Sequence, residues 1–437
     1  MSLQIKGEPR PFITLIAIIV IGLFIGFSIN QLGYFWVMLI PNVFLLILTL
    51  TLLVAYFEID ETKKQKSVIL PFLSVLVPSY NSKSTIMKTL SSIRASDYPG
   101  GMEIIVIDDG SSDGSVEMLR KLDGIKLLIK EKNEGKASAL NSAIKIAKGE
   151  VIACVDSDSY PEPAALKSAI SLLIQNEKTG AVTCFIRVND PNSLLKKIQD
   201  IEYLTGFGFS QITTRFLDAI FVTPGPTTIF RKRVLEHIGG FDEQNITEDL
   251  EIAWRLRKFG YGIEYTPNAV VYTDVPGDLK TLYKQRMRWY RGKLFNLRKH
   301  WDMFLNPKYG TFGMFILPFS FTAEFAGTVL SFSFIYLLFN QLSWTIKYTL
   351  SNLTMGAPLV DLSTMVVVGA SMLMVGLILV TPWFLAVYLS YVIGRKKVSL
   401  GDIPPIALFL LFYGTIISFF YCISLFKEIN RSDYKWK

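Results

Sequence analysis

The stretch Val151-Ile152-Ala153-Cys154-Val155-Asp156-Ser157-Asp158-Ser159 is a short apolar run ending in two aspartates one residue apart. Such a run, rich in β-forming residues, predicts a buried strand. Carboxylates placed where the backbone leaves a sheet suit a hard divalent cation, since Mg²⁺ is held by one or two carboxylates, water and a substrate phosphate. Taken alone, Asp-x-Asp reads as an ordinary solvated turn. It gains weight because three earlier strand ends carry polar clusters of the same kind.

Working back from that strand, Phe72–Val77 predicts a first strand, stopped by Pro78-Ser79-Tyr80-Asn81. A helix capped near Asn81 or Ser82 follows, with Ile86, Leu90 and Ile93 on one face. A second strand, Ile104–Ile107, runs into Asp108-Asp109-Gly110-Ser111-Ser112-Asp113, and a helix through Val116–Leu122 comes next. The third strand, Ile125–Ile129, ends at Lys130–Asn133, and the helix Ala137–Ala147 leads to the opening stretch. Strand–helix alternation at this spacing predicts right-handed crossovers, a mainly parallel sheet and an α/β fold. In such open sheets a ligand lies beyond the carboxyl ends of the strands. All four polar clusters fall there.

Each cluster offers a role. Tyr80 presents a ring to stack on a base, and Asp108 or Asp109 can accept from a base N–H or a ribose hydroxyl. Lys136 can bring a positive charge to a phosphate or base. The plainer alternatives are that Asp-Asp-Gly-Ser is turn chemistry and that Lys136 is a solvated first-turn residue.

Composition sets the frame. Half of the 437 residues are apolar and the formal charge is +8. Apolar stretches at about 11–29 and 34–57, and at about 312–339, 364–393 and 404–426, are each near or above the ~20 residues that cross a bilayer. The chain is therefore expected to place two transmembrane helices in 1–60, a water-facing catalytic domain in 61–275, amphipathic interface helices in 276–311 and transmembrane helices in 312–437. Basic residues sit beside the apolar stretches, as in Lys63-Lys64-Gln65-Lys66 and Arg395-Lys396-Lys397, which points to membrane lipid rather than nucleic acid. Lys6 and Arg10 before the first span put the domain on the cytoplasmic side of the cell membrane. Three carboxyl-terminal spans then leave Lys427, Arg431, Lys435 and Lys437 outside, against the same rule. Three cysteines without a C-x-x-C pair and two histidines argue against zinc or a disulfide framework.

The set Pro78-Ser79-Tyr80-Asn81, Asp108-Asp109-Gly110-Ser111, Gly135-Lys136-Ala137-Ser138-Ala139-Leu140-Asn141, Asp156-Ser157-Asp158, Thr247-Glu248-Asp249 and Gln285-Arg286-Met287-Arg288-Trp289 resembles the membrane-embedded family 2 glycosyltransferases. These include the cellulose, chitin, hyaluronan and poly-N-acetylglucosamine synthases; Ile246–Gly292 is most similar to the last. The resemblance implies a GT-A fold acting on a nucleoside-diphosphate sugar, usually a UDP-sugar. It implies Pro78, Tyr80, Asp108, Asp109, Lys136 and Asp156 around the nucleotide, and Asp158 with Asp156 on Mg²⁺ or Mn²⁺. It makes Asp249 the general base and places Glu248, Gln285, Arg288 and Trp289 at the diphosphate and acceptor. Inversion at an anomeric carbon needs a carboxylate that takes the acceptor hydroxyl's proton, which fits Asp249. A helix start capped by Thr247 is the equal alternative for Thr247-Glu248-Asp249.

Pro224-Gly225-Pro226-Thr227-Thr228 reads as a loop admitting close approach of substrate to backbone, or as a plain turn. The segment from about Asp278 to Trp301 reads as one basic amphipathic helix or two, with membrane anchoring as its plainer role. Gln285, Arg288 and Trp289 share one helical face through their i, i+3 and i+4 spacing. The function expected is a processive, inverting transferase that extends a glycan and passes it across the membrane. The alternatives are a single transfer to a lipid-linked phosphate acceptor, as in dolichyl-phosphate sugar synthases, and a non-catalytic membrane scaffold.

Overall fold

The computed structural model describes residues 69–356, 381 and 383–430. The two expected amino-terminal spans and most of the 364–393 stretch lie outside the described residues.

Four strands open the domain: β1 (Leu73–Ser79), β2 (Met102–Asp108), β3 (Lys126–Ile129) and β4 (Val151–Val155). The helices between them are α1 (Ile86–Arg94), α2 (Ser115–Leu119) and α3 (Lys136–Ile146). After them come β5 (Ser159–Pro161), α4 (Ala165–Leu173), β6 (Thr179–Val188), α5 (Leu194–Tyr203) and α6 (Gln211–Phe216). The domain closes with β7 (Thr227–Arg231), α7 (Lys232–His237), α8 (Glu248–Lys258) and β8 (Gly262–Thr273). One sheet results, ordered β3-β2-β1-β4-β7-β6-β8-β5. β1 is parallel to both β2 and β4, β2 to β3, and β6 to β8, while β7 runs antiparallel to β4 and β6. The strand order reverses between β1 and β4, which opens a crevice at their carboxyl ends.

Side-chain alternation sorts the strands into two layers. Leu73, Val75 and Val77 of β1 join Val151, Ala153 and Val155 of β4 on one face, under α1 and α4. Leu76, Ile152 and Cys154 face the other way, under α3, α7 and α8. That second layer is continuous with Phe312, Ile316, Leu317, Tyr391 and Ile393, so the sheet and the carboxyl-terminal helices share one apolar cluster.

Two local expectations are corrected. β1 continues through Pro78 and Ser79, because its pairing with β4 ends at Leu76 and proline then lies where only the β2 side is bonded. The first helix starts at Ile86 with Thr85 as its cap residue, not at Asn81 or Ser82. Asn81 instead adopts φ +51° and ties two loops together: its N–H donates to Ser111 Oγ and its Oδ1 accepts from Ser112 N, both at 2.9 Å.

Beyond the sheet, α9 (Leu279–Lys299) is one unbroken helix whose cap, Asp278, accepts from Thr281 N. It is followed by α10 (Leu317–Met355), α11 (Ile403–Leu408) and α12 (Gly414–Ile429). The continuous helical stretches Phe312–Met355 and Leu400–Ile429 are long and apolar enough to cross a membrane; Trp383–Ile393 is a shorter apolar helix. They behave differently. Past Ser331, α10 exposes large apolar side chains such as Phe339 and Met355. The Leu400–Ile429 stretch instead lies along the domain: Tyr413 donates to Glu202, Ser424 to Met287 Sδ, and Glu428 pairs with Arg291 at 2.9 Å. Lys396, in the basic run beside these helices, also contacts the domain, with its Nζ 2.9 Å from Asp200 Oδ2.

Candidate active site

The crevice between β1 and β4 is stitched by a serine pair, Ser82 Oγ to Ser157 Oγ at 2.7 Å, and by Thr89 Oγ1 donating to the Ser157 carbonyl at 2.9 Å. Tyr80 stands at its rim, about half exposed, and Pro78 is buried beneath it. One strand across, Asp108 is fully buried. Its Oδ2 accepts from Ser111 N at 2.9 Å, while its Oδ1 has no hydrogen-bond partner. A buried acceptor without a donor carries a desolvation cost, which a ligand N–H or O–H would relieve.

Asp109 is arranged otherwise. Its Oδ1 accepts from Glu134 N at 3.1 Å and faces Lys130 Nζ at 3.3 Å, and its Oδ2 accepts from Gly135 N at 2.7 Å. The residue anchors the loop that starts α3. Gly110 before that loop is required twice over: its φ is +75°, and a Cβ would lie 2.7 Å from the Lys132 carbonyl carbon.

Anchoring that loop delivers Lys136, the first residue of α3, into the site. Its Nζ forms an ion pair with Asp156 Oδ1 and lies 3.3 Å from Glu248 Oε1. Burial opposes the ammonium charge, but Asp156, Glu248 and Asp249 outweigh it and hold the Lys136 pKa above its ordinary value. The loop before β7 closes on the same pair. A Cβ on Gly225 would sit 2.7 Å from Lys136 Nζ and 2.9 Å from Asp156 Oδ2. The glycine expected to permit close approach therefore makes room for the ion pair.

Asp158 is half-buried, close in the chain to Asp156. Burial first, and the Asp156 charge second, push its carboxyl up to about 6. Its main chain is fixed by β8, since the Asp158 carbonyl accepts from Asp274 N at 3.2 Å. Asp274 in turn accepts from Tyr160 and Asn189, each at 2.7 Å, a support that sequence reading missed because Asp274 follows an ordinary strand end. Two like-charged carboxylates in one crevice fit a divalent cation that takes its remaining ligands from water and a substrate phosphate. Among the described residues no group of three or more His, Cys, Asp and Glu side chains could hold a metal ion.

Glu248 and Asp249 open α8, where acids favour the helix dipole. Thr247 occupies the cap position, but its side chain makes no capping bond; Oγ1 donates to Asn245 and accepts from Asn296 Nδ2 at 3.0 Å. The helix start is therefore as expected, and only the side-chain capping bond is absent. Burial, then the neighbouring Glu248 charge, push Asp249 up to about 6, against the cations of Lys136 and Arg288. The Asp249 carbonyl is held from the Pro224 loop by Thr223 Oγ1 at 2.6 Å.

Of the predicted α9 set, Arg288 adds positive charge that opposes the rise of the Asp249 pKa. Gln285 Oε1 is buried without a hydrogen-bond partner. Trp289 is half-buried and packs on the β1/β4 core layer. α9 is held onto the site by Gly292, where a Cβ would lie 2.3 Å from the Thr247 side chain, and by Asn296. At its far end Glu251 of α8 binds Arg255, Lys299 and His300.

The family model described as glycosyl transferase family 2 matches residues 74–239. A poly-beta-1,6-N-acetyl-D-glucosamine synthase of Staphylococcus epidermidis is 35% identical over 311 residues, 68% of this chain and 74% of that protein. The enzyme of the same description from Staphylococcus aureus strain COL is 36% identical over 251 residues, 56% of this chain and 60% of that one. Among solved structures, a mannosyltransferase of Pyrobaculum calidifontis in complex with GDP-Man and Mn²⁺ superposes with a TM-score of 0.54 at 19% identity. It covers 83% of this chain and 99% of its own, which is a likeness of fold. With the fold, the family match and a relative covered over most of its length in agreement, the chain belongs to glycosyl transferase family 2 and is a glycosyltransferase.

Proposed function

We propose that this protein is an inverting, processive N-acetylglucosaminyltransferase that uses a UDP-sugar to extend a glycan and passes the product across the membrane in which it is embedded. The observation that carries the reading is the meeting of Lys136, Asp156 and Glu248, from three separate elements, with Asp249 next to Glu248 in the chain. The likeness to poly-beta-1,6-N-acetyl-D-glucosamine synthases supplies the choice of sugar. The membrane-flanking charges supply the orientation, with the catalytic domain on the cytoplasmic side.

In this reading Asp108 Oδ1 accepts from the nucleoside, Tyr80 stacks on the base, and Lys136 keeps Asp156 turned into the crevice. Asp156 and Asp158 would hold Mg²⁺ or Mn²⁺, which supplies neutralising charge to the leaving diphosphate. Asp249 takes the proton of the acceptor hydroxyl as that oxygen bonds to the anomeric carbon. The bond from that carbon to the diphosphate oxygen breaks, and its electron pair leaves with UDP. A base raised to about 6 is well matched to this work, being ionised at neutral pH yet more proton-affine than a solvated aspartate. Gln285, Arg288 and Trp289 receive the acceptor, and the flat indole faces a sugar ring.

The test uses the full chain in membranes that contain no other glycosyltransferase, supplied in turn with UDP-sugars and Mg²⁺. UDP release together with a long product on a gel is the expected result. Release of UDP with a product one sugar longer than a lipid acceptor supports single transfer instead, and no release with any donor leaves a scaffold.

A further inference from the structure

We propose that Glu202 is a positioning residue for the acceptor, acting through Arg286 to fix the plane of the Trp289 indole. This deepens the polymerase reading and rests on it.

Residues 286 and 289 are neighbours on α9 by their i, i+3 spacing. The Arg286 guanidinium carbon lies 4.0 Å from the centroid of the Trp289 ring, within cation–π range. One face of the indole is therefore covered by a cation, and only ring surface left free by that cation and by the core layer can receive a sugar. Arg286 is only 2% exposed, so its charge needs a counter-charge close by. Among the described residues that carboxylate is Glu202, whose Oε2 accepts from Arg286 Nη2 at 2.6 Å and from Tyr413 Oη at 2.8 Å. Arg286 Nε has no hydrogen-bond partner, which leaves the pair with Glu202 as the strong contact of the guanidinium.

The placement of the three groups gives the pair its purpose. Trp289 belongs to α9, Glu202 to α5 at the edge of the catalytic domain, and Tyr413 to the membrane-side Leu400–Ile429 stretch. The orientation of the indole is thus referred to the domain that holds the donor, before any acceptor arrives. A platform ordered in advance lowers the entropic cost of bringing acceptor and donor into line.

The test compares two variants of the full-length protein in membranes, reading the ratio of polymerised to hydrolysed sugar and, by calorimetry, UDP affinity. Glu202→Gln strands a buried cation and is expected to lower both stability and the polymer-to-hydrolysis ratio, the latter by about tenfold or more. Glu202→Gln combined with Arg286→Met removes both charges at similar volume, so thermal stability returns toward that of the parent. The ratio is expected to stay low in this double variant, because the indole has lost its clamp. A ratio that recovers together with stability makes Glu202 a purely structural residue and overturns the proposal. Should the single variant fail to fold, the double variant decides alone. Failure of the parent protein to make polymer from any UDP-sugar is a separate outcome, one that removes the polymerase reading itself.

Discussion

Asp108-Asp109 follows β2 and Asp156-Ser157-Asp158 follows β4, each one strand from β1 and on opposite sides of it. In sequence the two are the same signal, acidic residues after an apolar strand. In the fold they separate. Asp109 gives its oxygens to the backbone of Glu134 and Gly135, and Asp108 keeps one oxygen unpartnered. Asp156 faces an ammonium, and Asp158 lies next to Asp156 with its carboxyl pushed up by burial and by that neighbour. A carboxylate bonded by main-chain N–H groups holds a loop, whereas Asp156 and Asp158 are governed by the charges around them.

That contrast is open to attack, most heavily at Asp158. Asp158→Ala is expected to reduce turnover by about 10³-fold or more, and excess EDTA to act the same way on the parent, read as UDP release. Full activity in EDTA removes the metal role of the pair. Next in size, Asp249→Asn is expected to cost about 10²-fold or more in turnover while calorimetry finds UDP affinity little changed. In the parent protein, turnover at saturating metal should rise with pH through about 6, because Asp249 accepts a proton only once its own has left. A profile flat from pH 5 to 8 assigns the base elsewhere.

Smaller effects distinguish the members of the first pair. Asp108→Asn should weaken UDP binding by roughly tenfold, the scale of one hydrogen bond to a charged acceptor, with turnover at saturating donor much less altered. Asp109→Asn should leave UDP affinity within about twofold of the parent and lower unfolding stability by about 1–3 kcal/mol, since one of the loop N–H groups loses its acceptor. Equal losses of UDP affinity in the two variants erase the distinction between loop anchor and ligand acceptor.

The first half of the domain was legible in the sequence because β1 and β4 are buried throughout and its helices alternate with its strands. Each predicted strand lies within two residues of the observed one. Pro78 marked the limit of that method: proline reads as a stop, yet β1 continues because β4 has already diverged. In the second half, β7 enters antiparallel between β4 and β6, a reversal no periodicity announces. The site was legible as residue types at strand ends. What the chain order hid were contacts between distant segments, namely Gly225 against Lys136, Asp274 behind Asp158 and Glu202 beneath Arg286. Such partners are fixed by tertiary packing, and nothing in their local spacing distinguishes them from ordinary surface acids and turn glycines.

Helix α9 can finally be regarded as a machine part. It is bolted to α5 through Arg286, to α8 through Gly292, Asn296 and Lys299, to α10 through Lys293 and Glu324, and to α12 through Arg291 and Glu428. A rod fastened on so many sides cannot work as a piston. Sliding by one residue, about 1.5 Å, would part several buried ion pairs at once. In a transferase built this way α9 stays still.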